Sequence, residues 1–89
     1  MPSAHAVAAA AEPVFVYAVR ARAEPGLMPR ALELFAKRGL VPLLWHGALA
    51  GPVLTIDIRI AGIDRDTAEY IGRCMGQIAG IDTVLTTTG

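Results

Sequence analysis

The residues with the clearest chemical potential lie in the stretch AEPGLMPR, residues 23–30, where two prolines and a glycine precede a helical pattern. Gly26 permits a tight turn and a close approach of ligand to backbone. Pro29 costs little there because the first amides of a helix lack intrahelical acceptors. Such amides suit a carboxylate, which makes a backbone site of Glu24, Pro25, Gly26, Leu27 and Met28. The same residues would also make an ordinary strand-to-helix turn.

Catalytic and metal-binding sets are not evident elsewhere in the chain. The acidic side chains, such as Asp57 and Asp64, form no pair beside a nucleophile or a base. His5 and His46 have no second histidine or cysteine at metal-ligand spacing. His46 beside Trp45 is either a contact residue or an ordinary solvated histidine. The sequence therefore predicts a non-catalytic protein with no metal and no cofactor.

Composition narrows the class of partner. The chain has 89 residues, of which 54% are apolar, so we expect one small domain with apolar surface left for a partner to cover. Eight basic and eight acidic residues cancel and are scattered along the chain. Nucleic acid is therefore not an expected partner, because phosphate backbones bind basic stripes.

The remaining compositional signals concern location and domain limits. The single Cys74 excludes an internal disulfide and favours a reducing cytoplasm, where it would serve as a small core hydrophobe. No apolar run reaches the 18 or so residues of a membrane span, so no membrane association is expected. We expect a tail over residues 1–12 and a single domain over residues 13–89, beginning at Pro13.

Hydrophobic periodicity predicts six elements. A first strand over residues 14–21 is nearly continuously apolar, which is typical of a central strand buried on both faces. A helix follows from Leu27, with apolar residues at helical spacing and Gly39 as its C-terminal stop. A second strand within residues 40–51 contains Pro42 and therefore lies at a sheet edge. A third strand over residues 53–60 alternates apolar and polar residues, and a short fourth strand ends the chain at residues 81–89.

The second helix, within residues 62–80, has two features of interest. Asp66 and Glu69 have the spacing of a capping box. Gly72, Gly76 and Gly80 recur every four residues, although each glycine inside a helix costs about 1 kcal/mol relative to alanine. They indicate either a smooth face that packs closely on another helix or a weak helix end stopped by Gly80.

The order β-α-β-β-α-β has few economical solutions, because each β-α-β crossover is right-handed. It predicts a ferredoxin-like α+β sandwich. In that fold a four-stranded antiparallel sheet has strands one and three in the middle and both helices on one face. The opposite face of the sheet would carry no helix.

The stretch EPGLMPRALELFAKRGLVP, from Glu24 to Pro42, resembles the start of an ACT domain. In that family a Pro-Gly pair after an acidic residue is followed by an apolar-patterned helix and by a glycine that opens strand two. The resemblance runs from about Val14 to Thr88. It is greatest to the small regulatory subunits of acetolactate synthase (acetohydroxyacid synthase). Val41 stands in the strand-two position where ligand-binding members usually carry asparagine.

The resemblance implies a regulatory subunit that docks on a large catalytic subunit in branched-chain amino-acid synthesis and senses an amino acid. Val41 would then join the residues of the helix-one turn in the ligand site. Two alternatives remain open. One is a stand-alone homo-oligomer that binds a small molecule, and the other is a small ferredoxin-like enzyme with its site on the sheet face.

The predicted edge strand also indicates how the chain associates. An edge with Leu43, Leu44 and Trp45 and few charges is of the kind that monomeric proteins usually protect. We therefore expect a homodimer in which strand two of one copy pairs with strand two of the other across a two-fold axis.

Overall fold

The structure is a computed structural model and describes residues 12–89. All but the last residue of the predicted tail, residues 1–12, lies outside the described residues. The elements run in the predicted order: β1 Val14–Arg22, α1 Leu27–Ala36, β2 Leu44–Ala50, β3 Val53–Ala61, α2 Arg65–Gly76 and β4 Ile81–Thr88.

The four strands form one antiparallel sheet in the order β2-β3-β1-β4, so strands one and three are central, as predicted. Both helices cover the same face. The prediction that β1 is buried on both faces is wrong: Phe15, Tyr17 and Val19 are buried, whereas Ala18 and Arg20 are exposed. Continuous hydrophobicity arose because Ala18 and the half-buried Val14 and Val16 occupy the open face.

The core lies between this face of the sheet and the two helices. Leu27, Ala31 and Phe35 of α1 are fully buried, which confirms the predicted helical stripe. They pack with the inward side chains of the two central strands and of α2, namely Phe15, Tyr17, Val19, Ala21, Leu54, Ile56, Ile58, Ile60, Ala68, Ile71 and Met75. No charged residue among residues 12–89 is buried.

Gly39 terminates helix α1, whose last helical residue is Ala36, as the sequence predicted. The φ of Gly39 is 70°, a left-handed value that glycine adopts without strain. Its N–H donates to the Ala36 carbonyl at 2.9 Å, and the Leu40 N–H donates to the Phe35 carbonyl at 3.0 Å. These two bonds form a Schellman motif, which satisfies carbonyls that the helix leaves without partners.

The predicted capping box of α2 is wrong. The helix begins at Arg65, and the residue before it, Asp64, accepts a hydrogen bond from the Thr67 N–H at 2.8 Å. That bond lowers the pKa of the Asp64 carboxyl. Asp66 lies inside the first turn of the helix. Its negative charge interacts favourably with the helix dipole there, but its side chain does not cap the helix. Two aspartates, Asp64 and Asp66, flank the first helical residue, so spacing alone did not identify the cap.

Strand β2 is an edge strand, but Pro42 lies before it and not within it. Pairing with β3 starts with the Leu43 N–H, which donates to the Arg59 carbonyl at 2.7 Å. The missing amide of Pro42 explains why the ladder begins only after that residue. At its other end β2 turns into β3 through Gly51, whose φ of 59° suits a tight hairpin.

The three glycines of the second helical region have three different roles. A Cβ at Gly72 would lie 2.5 Å from the Thr86 hydroxyl oxygen, so Gly72 allows α2 to approach the sheet closely. A Cβ at Gly76 would meet nothing within 4 Å. Gly80 has a φ of 97° and forms the turn into β4. The close packing is therefore internal, between helix and sheet. The prediction that Gly80 stops the helix is wrong, because α2 ends at Gly76 and is capped by Gln77.

Candidate functional site

A cavity of about 480 Å³ lies where the β1–α1 turn meets the β2–β3 hairpin. Its volume falls within the range of small-molecule sites. The turn and the first turn of α1 form one wall, and the inward side chains of the hairpin form the other. The lining residues are Ala23, Glu24, Pro25, Met28, Trp45, Gly47, Leu49 and Leu54.

The hairpin wall is positioned by packing. The Trp45 ring meets the Phe35 ring edge-on, with centroids 6.3 Å apart, which anchors it to the core. Gly47 has no side chain and leaves space beside the Trp45 ring. A Cβ at position 47 would lie 3.3 Å from the Met28 sulfur. Leu49 is 66% exposed and lies at the mouth. The cavity is therefore an apolar slot that opens along the free edge of the sheet.

Glu24 is the ionisable residue among the lining residues. Its carboxylate lies 3.6 Å from the Arg22 guanidinium, a separation at which both charges remain partly solvated. Backbone bonds hold the turn in place: the Ala23 N–H donates to the Pro52 carbonyl at 3.1 Å, and the Leu27 N–H donates to the Glu24 carbonyl at 3.1 Å. Glu24 therefore lies on a well-held turn at the edge of an apolar slot, with its carboxylate beside Gly80.

The amides of this turn provide fewer free donors than the sequence suggested. Pro25 and Pro29 have no N–H, and the Leu27 N–H is bonded to Glu24. Among residues 12–89, the backbone bonds outside regular elements leave Gly26 and Met28 as the free amides of the turn. The Arg30 side chain folds back, and its Nε donates to the Gly26 carbonyl at 3.1 Å. Two amides remain available for an anion.

The predicted site residues are only partly brought together. Glu24, Pro25 and Met28 line the cavity. Gly26 lies in the turn behind them, and Leu27 is fully buried in the core. Val41 is 84% exposed and lies outside the lining. The Leu27 side chain packs inward and Val41 precedes β2, so neither side chain lines this cavity, and their contact with a ligand stays a prediction.

Sequence reasoning missed the hairpin half of the cavity. Gly47, Leu49 and Leu54 were not predicted, and Trp45 was assigned only to a dimer contact. The available signal was the period-two alternation of β2, which places Trp45, Gly47 and Leu49 on one face. The slot forms where this face passes over the start of α1, an approach between elements distant in the chain.

The predicted association residues do not share one face. Leu43 is 64% exposed, and Trp45 is half-buried on the helix side. Leu44 is paired with Arg59 and points to the open face of the sheet. A contact through this edge would therefore use apolar side chains above and below the sheet.

Residues 12–89 contain neither a membrane-spanning helix nor a metal-binding cluster. Neither α1 nor α2 has the length and apolar character needed to cross a membrane. Groups of three or more His, Cys, Asp or Glu side chains placed to hold a metal ion do not occur in this part of the chain.

The sequence matches no protein-family model. No curated protein matches the sequence either. Solved structures do resemble it. The crystal structure of the ACT domain from GTP pyrophosphokinase of Chlorobium tepidum superposes with a TM-score of 0.74 at 10% identity, covering 85% of this chain and 99% of that one.

Two further structures share the fold. An uncharacterised protein from Thermotoga maritima has a TM-score of 0.70 at 19% identity, with 86% of this chain and 96% of that chain covered. A homoserine dehydrogenase from Thiobacillus denitrificans has a TM-score of 0.68 at 10% identity, with 90% of this chain and 18% of that chain covered. At these identities the likeness establishes the fold, which is the ferredoxin-like fold of ACT domains.

Proposed function

We propose that this chain is a regulatory, small-molecule-binding domain whose ligand occupies the slot between the β1–α1 turn and the β2–β3 hairpin. The observation that carries the proposal is the composition of that slot: an apolar interior with a single carboxylate, Glu24, at its edge. Ligand sites are typically of this kind, with mostly apolar walls and a few polar groups that orient the ligand.

An apolar amino acid matches the slot group by group. Its ammonium would pair with the Glu24 carboxylate, and its carboxylate would face the free amides of Gly26 and Met28. Its side chain would pack against Trp45 and Leu54. A 2-oxo acid of the same shape has a neutral carbonyl in place of the ammonium. Its one charged group is a carboxylate, which has the same sign as Glu24.

The absence of a buried charged residue in residues 12–89 supports regulation over catalysis. General acids and bases commonly owe their shifted pKa values to burial or to a close charged partner. The ACT resemblance of the sequence makes a metabolic enzyme the expected docking partner, with the large subunit of acetolactate synthase as the specific candidate. A stand-alone amino-acid-binding oligomer is the alternative if no such complex forms.

We also propose that the chain is a homodimer through β2. In a two-residue hairpin the residues flanking the turn pair through hydrogen bonds, so alternate residues of β2 point their backbone groups away from β3. Those residues are Trp45, Gly47 and Leu49. All three follow Pro42, so the pairing between copies does not need the amide that Pro42 lacks. Pairing centred on Gly47 would set the partner's Leu49 beside Trp45 and close the mouth of the slot.

Ligand binding is tested by titrating the 15N-labelled full chain with L-leucine and L-valine and recording amide shifts. We expect saturable shifts at Gly26, Met28 and Trp45. Glu24→Gln should weaken binding about tenfold or more, as expected for a lost hydrogen bond between charged groups. Glu33→Gln, an exposed carboxylate of α1 outside the slot, is the matched control. Equal binding of 4-methyl-2-oxopentanoate would contradict the assignment of Glu24.

Docking is tested separately by mixing the chain with acetolactate synthase large subunits and measuring co-elution and turnover. We expect a complex and a changed rate that responds to the amino acid bound by the slot. Saturable binding without any complex would favour the stand-alone oligomer. The absence of both binding and a complex would overturn the regulatory proposal.

A further inference from the structure

The open face of the sheet, opposite the helices, contains a second depression of about 400 Å³. The pairing registers build it from two neighbouring rows of side chains across the strands. One row is His46, Asp57, Ala18 and Leu85, and the next is Ala48, Thr55, Arg20 and Thr83. On the two central strands these positions alternate with buried ones, so the depression lies on the face opposite the slot.

The depression exists because Ala18 occupies the centre of the sheet. It lies directly between Asp57 on β3 and Leu85 on β4, and its single methyl group leaves a gap between longer side chains. Val19 and Ile56 also line the depression although their side chains are buried on the helix side. They therefore contribute backbone to its floor.

Arg20 gives the depression its charge. Residues 12–89 contain two ion pairs, in which Arg22 pairs with Glu24 and Arg59 pairs with Asp57, each at 3.6 Å. Arg20 belongs to neither, and its neighbours across the strands are the uncharged Thr55 and Thr83. Residues 1–11 contain no Asp or Glu that could supply a partner. Within residues 12–89, Arg20 thus has no carboxylate within 4.0 Å, and Asp57, which lines the same depression, is paired with Arg59.

From this arrangement we propose that the depression binds a small organic anion. The Arg20 guanidinium would hold a carboxylate in the two-point geometry that suits it, with the Thr83 hydroxyl as a further donor. The apolar part of the ligand would lie on Ala18 and against Leu85, which is 63% exposed. The Asp57 carboxylate, in the neighbouring row, has the same sign as the ligand and would keep its anionic group on the Arg20 side.

The same guanidinium could also recognise a phosphate, and the test separates the two chemistries. The 15N-labelled full chain is titrated with butyrate, acetate, inorganic phosphate and sodium chloride at equal ionic strength. We expect saturable shifts at Ala18, Arg20 and Thr83 with butyrate, and weaker binding of acetate because it lacks the apolar portion. Phosphate binding as tightly as butyrate, or equal shifts with chloride, would overturn the proposal.

Two variants locate the site. Arg20→Gln should weaken butyrate binding about tenfold or more, which is the loss expected for hydrogen bonds to a charged group. Ala18→Val should abolish binding by filling the depression, while the β-branched residue remains compatible with a strand. Arg73→Gln, an exposed cation on the helix side, removes the same charge as a control. Butyrate binding that survives both Arg20→Gln and Ala18→Val would refute the site, whatever L-leucine does in the slot.

Discussion

At the scale of single residues, Tyr17 shows how one polar atom is accommodated in this core. Its side chain is fully buried, and its hydroxyl donates to the Ala68 carbonyl of α2 at 2.6 Å. The ring meets the Phe35 ring edge-on, with centroids 5.7 Å apart. Tyr17 thus connects the central strand to both helices. Burial disfavours the phenolate and raises the pKa of Tyr17 to about 12.

This raised pKa predicts a loss of stability at alkaline pH. The unfolded chain releases the proton near the ordinary value of 10.0, whereas the folded chain holds it to about 12. The stabilisation is therefore complete below pH 10 and is lost as pH rises from 10 towards 12. Two pKa units correspond to about 3 kcal/mol. Chemical denaturation over this pH interval measures the loss.

Tyr17→Phe is the variant that isolates the hydroxyl. We expect it to lower the free energy of unfolding by about 1–3 kcal/mol at pH 7, because the Ala68 carbonyl loses a buried donor. The variant should also show a smaller alkaline loss than the parent chain. Tyr70→Phe, at a half-exposed ring on α2, serves as the control. An unchanged alkaline profile in Tyr17→Phe would assign the loss to other groups.

At the scale of elements, the packing of α2 on the sheet depends on one missing side chain. Gly72 is buried against Thr86 of β4 and Tyr17 of β1. Gly76, one turn later, is the last residue of α2 and faces open space. The two glycines of this helix thus differ: Gly72 is required because a side chain there would clash with the sheet, whereas Gly76 has room for a side chain.

This contrast predicts opposite effects of the same substitution. Gly72→Ala should destabilise the fold by about 1–3 kcal/mol, since its methyl group would push against Thr86 and overpack the interface. Gly76→Ala should be neutral or stabilise by up to about 1 kcal/mol, because alanine favours the helix and meets no neighbour. Thermal or urea unfolding of both variants measures the difference. Equal effects of the two substitutions would contradict the packing role of Gly72.

At the scale of the whole molecule, three of the four most exposed large apolar side chains of residues 12–89 lie at the β2 edge. Val41, Leu43 and Leu49 are each more than 60% exposed, at 84%, 64% and 66%. The slot opens along the same edge, so an association there would shield apolar side chains and enclose a ligand together. This shared position links the proposed dimer to the proposed ligand site.

The dimer proposal predicts a mass near twice the 9.4 kDa of one chain in light scattering at low micromolar concentration. Leu44→Lys and Leu49→Lys should each weaken association by about tenfold or more, because an unpaired buried charge costs several kcal/mol. Leu85→Lys, at an equally exposed leucine on the opposite edge strand, is the control. A monomer in the parent chain would refute pairing through β2.

The sequence by itself determined the element order, the central position of β1 and β3, and both ends of α1. These depend on local facts: strand and helix have different hydrophobic periods, and Gly39 adopts the left-handed φ that a helix stop requires. It also identified the turn at Glu24–Met28 as chemically distinctive. The cap of α2 was misassigned because Asp66 has the capping-box spacing with Glu69, whereas the true cap, Asp64, is followed three residues later by Thr67.

Only the tertiary structure decided what the turn faces. The slot requires Trp45, Gly47 and Leu49 to pass over Met28, and these residues meet because the hairpin folds back beside α1. The open-face depression likewise depends on the register that sets Ala18 between Asp57 and Leu85. A shift of one residue would turn each of these side chains to the other face. Local sequence patterns specify which residues alternate, whereas contacts between distant strands fix which neighbours they meet.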